Sequence, residues 1–251
     1  MLKVKSPTCM KKSIFYILIS FLFLISSGSV WRKHAAKSET IKLVYVYDAL
    51  CGWCYGFGPV VEKIEKEFKG KVAIEIISGG MVMGDRIAPI GNMSEYILQA
   101  IPHLEHATGV TFGAPYIALV EKGTYVTSSE KPSIALWVYK SFTSDRAVEY
   151  GYGIQKAFYM EAKDLNNDSL YANLAIPFGI DRNQFLQRMQ DSTYLKQAQE
   201  GFKRAADLGV TGYPTLLEKK GDAYVQITEG YRDYAPIEKH LLKRLKTRSA
   251  E

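Results

Sequence analysis

The sequence predicts an α/β fold in which a βαβ unit and a ββα unit bracket a long all-helical insertion. Three observations predict it. Residues 41–47 (Ile-Lys-Leu-Val-Tyr-Val-Tyr) are rich in β-branched and aromatic side chains, and a segment of helical period at 60–68 and an alternating run at 71–77 follow them. From about 93 to 208 the apolar residues recur at helical spacing, with breaks at 109–115, 123, 132 and 176–179. Strand character returns at 215–218 and 223–228, on either side of the turn Lys219-Lys220-Gly221-Asp222.

The chain has 251 residues, 47% of them hydrophobic, which is enough for a sizeable core. Its formal charge is +6, but Lys3, Lys5, Lys11 and Lys12 lie in the first 29 residues with no acid among them. The remainder is close to neutral, with 28 basic residues against 26 acids, so no nucleic-acid partner is expected.

Residues 1–29 read as a signal peptide or membrane anchor, starting from Met1 or Met10. Lys11 and Lys12 precede an apolar stretch at 14–25, and Ser26-Ser27-Gly28-Ser29 suits cleavage. If retained, residues 13–31 are just long enough to span a bilayer and would be the membrane contact. Cleavage would remove Cys9 and leave Cys51 and Cys54 in an exported, periplasmic or extracytoplasmic setting, where disulfides persist. Residues 30–40 read as a linker.

After the strand at 41–47 comes the loop Asp48-Ala49-Leu50, where Asp48 reads most simply as a polar or capping residue and alternatively as a group that tunes Cys51. Next comes Cys51-Gly52-Trp53-Cys54. Two cysteines three apart, opening a helix after a strand, read as a redox pair: both sulfurs can face one side of the first turn and close a small ring reversibly. The helix N-terminus favours a thiolate at Cys51, the expected nucleophile, with Cys54 as the resolving thiol. A structural disulfide over so short a loop would add little stability. Metal is not expected, because no second cysteine pair exists and the histidines are His34, His103, His106 and His240.

Val60, Val61, Ile64 and Phe68 share one face of the following helix, which Pro59 should kink. The glycine- and methionine-rich segment 78–91 reads as a mobile apolar lip suited to unfolded chains, or as plain packing of methionines. Helices are expected at 132–142, 147–160 and 182–189, the last capped by Asp181. His103 and His106 lack a third ligand and read as ordinary histidines. A helix at 235–246 closes the chain.

This order, with the cysteine pair at the first turn, resembles the thioredoxin fold, and the long insert resembles its DsbA branch. Pro59 stands at the position of the helix-kinking proline, Gly212-Tyr213-Pro214-Thr215 resembles the cis-proline loop, and residues 48–59 are similar to FrnE-like and isomerase-like members. The resemblance implies catalytic Cys51 and Cys54, tuning by Gly52 and Trp53, and substrate docking at Tyr213, Pro214 and Thr215, where an extended peptide could pair briefly as an added strand. It divides the chain into halves at 41–87 and 209–246 around an insertion at 88–208. Gly52-Trp53 replaces the Pro-His of DsbA, and Tyr45 stands where the family carries a buried acid.

The activity implied is exchange of disulfides with unfolded or disulfide-bearing protein substrates, with a redox recycling partner and no cofactor beyond the Cys51-Cys54 disulfide. The alternatives are a glutathione-dependent isomerase or transferase, and a peptide-binding holdase with a passive disulfide.

Overall fold

The computed structural model describes residues 40–248, all of which fall in one compact unit. The leader, Cys9 and most of the expected linker lie outside the described residues. Among those described, no helix is long and apolar enough to cross a membrane.

The first strand, β1 (Ile41–Tyr47), leads into α1 (Gly52–Glu67) and then β2 (Val72–Ser78). β2 runs parallel to β1, from Ile41 opposite Val72 to Tyr47 opposite Ser78. After β3 (Ala88–Pro89) come α2 (Ser94–Thr108), α3 (Ala114–Lys122), β4 (Val126–Thr127), α4 (Glu130–Phe142), α5 (Ala147–Tyr159), α6 (Asp168–Ala175), α7 (Arg182–Met189) and α8 (Ser192–Asp207). The chain then forms β5 (Thr215–Lys220), β6 (Ala223–Glu229) and α9 (Tyr234–Arg248), with β5 antiparallel to both β1 and β6. The sheet order is β2-β1-β5-β6.

β1 is apolar on both faces because both faces are covered. Leu43, Tyr45 and Tyr47 join the core that holds Phe57, Val61 and Ile64 of α1 and Ile237 and Leu241 of α9. Val44 and Val46 point the other way, into a smaller cluster with Ile77, Leu217 and Ala205 of α8. Glu218 ties α9 to the sheet: its fully buried carboxylate accepts from Arg244 Nε at 2.7 Å and pairs with His240 Nε2 at 2.9 Å.

α1 meets the insertion through an aromatic seam. Tyr55 stacks on Tyr159 at 4.9 Å and meets Phe112 edge-on at 5.4 Å, geometries that rings favour. Gly58 is required there, because a Cβ would lie 2.2 Å from the Tyr152 ring.

The structure corrects several boundaries. Pro132 does not break a helix: it sits in the first turn of α4, where backbone amides have no intrahelical partner to lose. β5 extends to Lys220, so the hairpin turn shrinks to Gly221 and Asp222. The insertion is helical except for the short β3-β4 ladder, whose two-residue strands carry no readable alternation. Residues 78–91 hold a 3₁₀ turn, Gly84–Arg86, and Met81 packs against the core. α7 begins where Asp181 was expected to cap it, the carboxylate accepting from Gln184 N at 2.8 Å.

Candidate active site

Cys51 is the N-cap of α1, with extended backbone, and Tyr55 N donates to its carbonyl at 3.1 Å. Its amide donates to the Asp48 carbonyl at 3.2 Å, which closes the tight loop after β1. The Cys51 thiol donates to the Tyr213 carbonyl at 3.5 Å, and the Tyr213–Pro214 peptide is cis. The fold therefore brings Cys51, Cys54, Tyr213 and Pro214 to one end of the sheet.

The two thiols, neither of them bonded in this structure, differ in exposure. Cys51 is 7% exposed, and Cys54 is fully enclosed. Burial, then the hydrogen bond and charge of Cys51, push the Cys54 thiol well above its ordinary range. Beneath it the Tyr45 hydroxyl donates to the Cys54 carbonyl at 3.4 Å. Burial, then the charges of Cys54 and Cys51, raise Tyr45 strongly, so this residue is a neutral donor.

The other expected site residues fall into two groups. Trp53 is half-buried and meets His103 edge-on at 5.6 Å and Tyr231 at 6.3 Å. At Gly52 a Cβ would crowd Leu104 at 3.1 Å. Thr215 is turned inward: its hydroxyl donates to Gly212 O at 2.8 Å, and its ladder positions are filled by Val46 and Glu229. It shapes the loop from within and is 1% exposed. Tyr213 also points inward, its phenol donating to Gly79 O at 2.7 Å.

Asp48 does not cap α1. Its fully buried carboxylate accepts from Leu50 N at 2.9 Å, Met81 N at 2.8 Å and Ser129 Oγ at 2.9 Å, while its carbonyl also accepts from Gln155 Nε2 at 3.0 Å. Burial raises its pKa, opposed by those three bonds and by Arg86. Ser129 and Gln155 escaped the sequence reading, while Gly79 and Met81 fell within the segment 78–91 without their bonds to Tyr213 and Asp48 being foreseen. Only the Gly79-Gly80 pair after a strand gave a signal, that of a close backbone approach.

A cavity of about 620 Å³ opens beside Cys51, walled by Leu50, Trp53, Met81, Ile97, Leu104 and Phe112. Among the described residues no group of three or more His, Cys, Asp or Glu is placed to hold a metal.

A thioredoxin-type sheet with a cysteine pair at the first helix N-terminus, facing a cis-proline loop, defines the class of thiol-disulfide oxidoreductases. The chain belongs to the DSBA-like thioredoxin domain family, whose model matches residues 42–231. Its fold is shared with a Nitrosomonas europaea protein assigned as a disulfide isomerase, at 24% identity and a TM-score of 0.70, over 84% of this chain and 99% of that one. Cytosolic disulfide reductase DsbM of Pseudomonas aeruginosa is similar at 22% identity and a TM-score of 0.68, over 81% and 99%. In sequence the chain is 19% identical over 181 residues to the ClpXP adapter protein SpxH of Halalkalibacterium halodurans, covering 72% of this chain. The matched region spans 59% of that relative's length.

Proposed function

We propose that the chain exchanges disulfides with protein substrates through Cys51 and Cys54, after export directed by its leader. The observation that carries this reading is the pairing of a near-surface Cys51, its thiol on the Tyr213 carbonyl, with a fully enclosed Cys54 one helical turn behind. Cys51 is the sulfur an incoming disulfide can reach. Its thiolate attacks one partner sulfur and the other leaves; Cys54 then attacks Cys51, forming the internal disulfide and releasing the partner as a thiol. The reverse sequence donates a disulfide. An extended partner lies along the Tyr213-Pro214 edge, and residues 88–208 act as an insertion between the two halves of the thioredoxin unit.

The test is the equilibrium reduction potential of the pair against glutathione, read by Trp53 fluorescence. A value near about −120 mV marks a disulfide donor, and one near about −270 mV a reductant. A pair that does not titrate overturns the reading. The name of the adapter relative favours a second reading, a binding module without turnover: Cys51→Ser would then keep full activity. The leader is tested by fractionation of cells expressing the whole chain, where retention in the cytosol overturns export.

A further inference from the structure

We propose that the cavity beside Cys51 receives the flank of the incoming disulfide and selects an apolar group that carries a carboxylate, with Arg86 pairing that carboxylate, a specificity that rests on the redox reading above. Arg86 ends the 3₁₀ turn Gly84–Arg86 between β2 and β3, and it lines the cavity together with Cys51. The walls are otherwise uncharged apart from Asp85, and Met81, Ile97, Leu104 and Phe112 make them largely apolar. A volume of about 620 Å³ admits a group as large as an aromatic side chain.

Arg86 is an exposed cation that is held in place without being neutralised. Its Nη2 donates to the Gly80 carbonyl at 3.1 Å, and its amide donates to the Met83 carbonyl at 3.2 Å. Neither acceptor is an acid. Among the described residues no carboxylate is within ion-pair distance of its guanidinium, Asp85 on the same turn included, so Nε and Nη1 keep their hydrogens free. Asp48 feels its charge from inside the core, but that carboxylate is fully buried and already accepts from Leu50 N, Met81 N and Ser129 Oγ.

A guanidinium stays charged at any working pH, and its planar fork fits a carboxylate. Exposed ion pairs gain little in water, whereas apolar walls keep solvent off one side and strengthen the pair. An apolar flank without an acid would fill the walls and leave the cation to water; an acid without apolar bulk would leave the walls wet. The carboxylate is that of an Asp or Glu near the reacting cysteine of a protein, or that of a small free disulfide. Arg86 also has a structural side: the Gly80 carbonyl it holds lies between Gly79, which takes the Tyr213 phenol, and Met81, which holds Asp48. Loosening that strip would slow every partner alike.

The experiment follows the second-order reaction of the reduced protein with matched disulfides. One pair is peptides that differ as Phe-Glu against Phe-Gln beside the cysteine; the other is aryl disulfides that differ by one ring carboxylate. Each rate is divided by that of dithiothreitol, which removes intrinsic reactivity. In Arg86→Ala the acidic member is expected to slow about twentyfold, the scale of a lost charge-assisted hydrogen bond, and its neutral twin less than about threefold. Arg86→Lys, which keeps the charge, should recover part of the loss. A selective fall confined to the peptides assigns the flank to a protein, and one confined to the aryl pair assigns it to a small disulfide. Equal slowing of acidic and neutral members, or slowing of neither, overturns the proposal alone. A wild-type protein whose Cys51 reacts with no member overturns the redox reading and the proposal with it. If Arg86→Ala fails to fold, wild type decides: its preference for the acidic member should shrink as salt rises from about 0.05 to about 1 M, and a preference that salt does not move overturns the assignment.

Discussion

The phenol of Tyr213 reaches across 134 residues of sequence to the Gly79 carbonyl at 2.7 Å, and its ring fills the space where any side chain at 79 would stand. A Cβ there would lie 2.0 Å from Tyr213 Cε1. The residue before the cis-proline is thereby held by the end of β2, and through its carbonyl it holds the Cys51 thiol.

Gly79→Ala should therefore displace Tyr213. Overpacking of this kind costs about 1–3 kcal/mol, and the misplaced carbonyl should slow disulfide exchange by about tenfold or more. Chemical denaturation and turnover of a fluorogenic disulfide peptide measure the two effects. Unchanged turnover would separate Tyr213 from the chemistry.

Cys54→Ser should accumulate a mixed disulfide between Cys51 and its protein partner, because the enclosed sulfur that releases the partner is gone. Non-reducing electrophoresis followed by mass spectrometry reads the adduct on Cys51. Its absence, with wild type active, would assign release to another thiol.

The Cys54 thiol is raised in the folded chain above the roughly 8.5 of an unfolded one. Its protonated form then contributes stability that is full below about pH 8.5 and is lost as pH rises toward the folded value. Comparing Cys51→Ser with the Cys51→Ser/Cys54→Ser double variant by urea unfolding isolates this contribution. The single variant should lose ground to the double one between about pH 8 and 10.

Glu218 has the opposite sign. Burial raises its carboxylate, but the hydrogen bonds from His240 and Arg244 outweigh that and hold it below the usual value. The stability it adds is present above about pH 4.3 and lost as pH falls through the folded value. Glu218→Gln should cost about 1–3 kcal/mol at neutral pH, less than the ~3–5 kcal/mol of a fully buried pair that loses one partner, since the groups facing Glu218 are partly solvated. Its stability should also fall less steeply in acid than wild type, as acid titration of unfolding will show.

What the sequence disclosed was local. The apolar run of β1, the cysteine pair and Asp181 before α7 each depend on neighbours a few residues away, and each was readable from spacing and residue type. Pro132 misled because a proline in the first turn of a helix and a proline that ends one look alike without knowledge of the start. The supports of the site are long-range: Ser129 and Gln155 find Asp48 across 81 and 107 residues, and nothing in their own neighbourhoods marks them. The same holds for Glu218, which looked like an ordinary strand residue until α9 was folded over it.

Ser129 and Gln155 also give the helical insertion a say in how the chain could be re-engineered. Both sit in the inserted helices or at their threshold, and both terminate on Asp48, one on its carboxylate and one on its carbonyl. A chimera that swaps in a foreign helical cassette between the two halves would leave Asp48 short of those partners. Recombination of this scaffold with its relatives must move Asp48, Ser129 and Gln155 together, or rebuild all three.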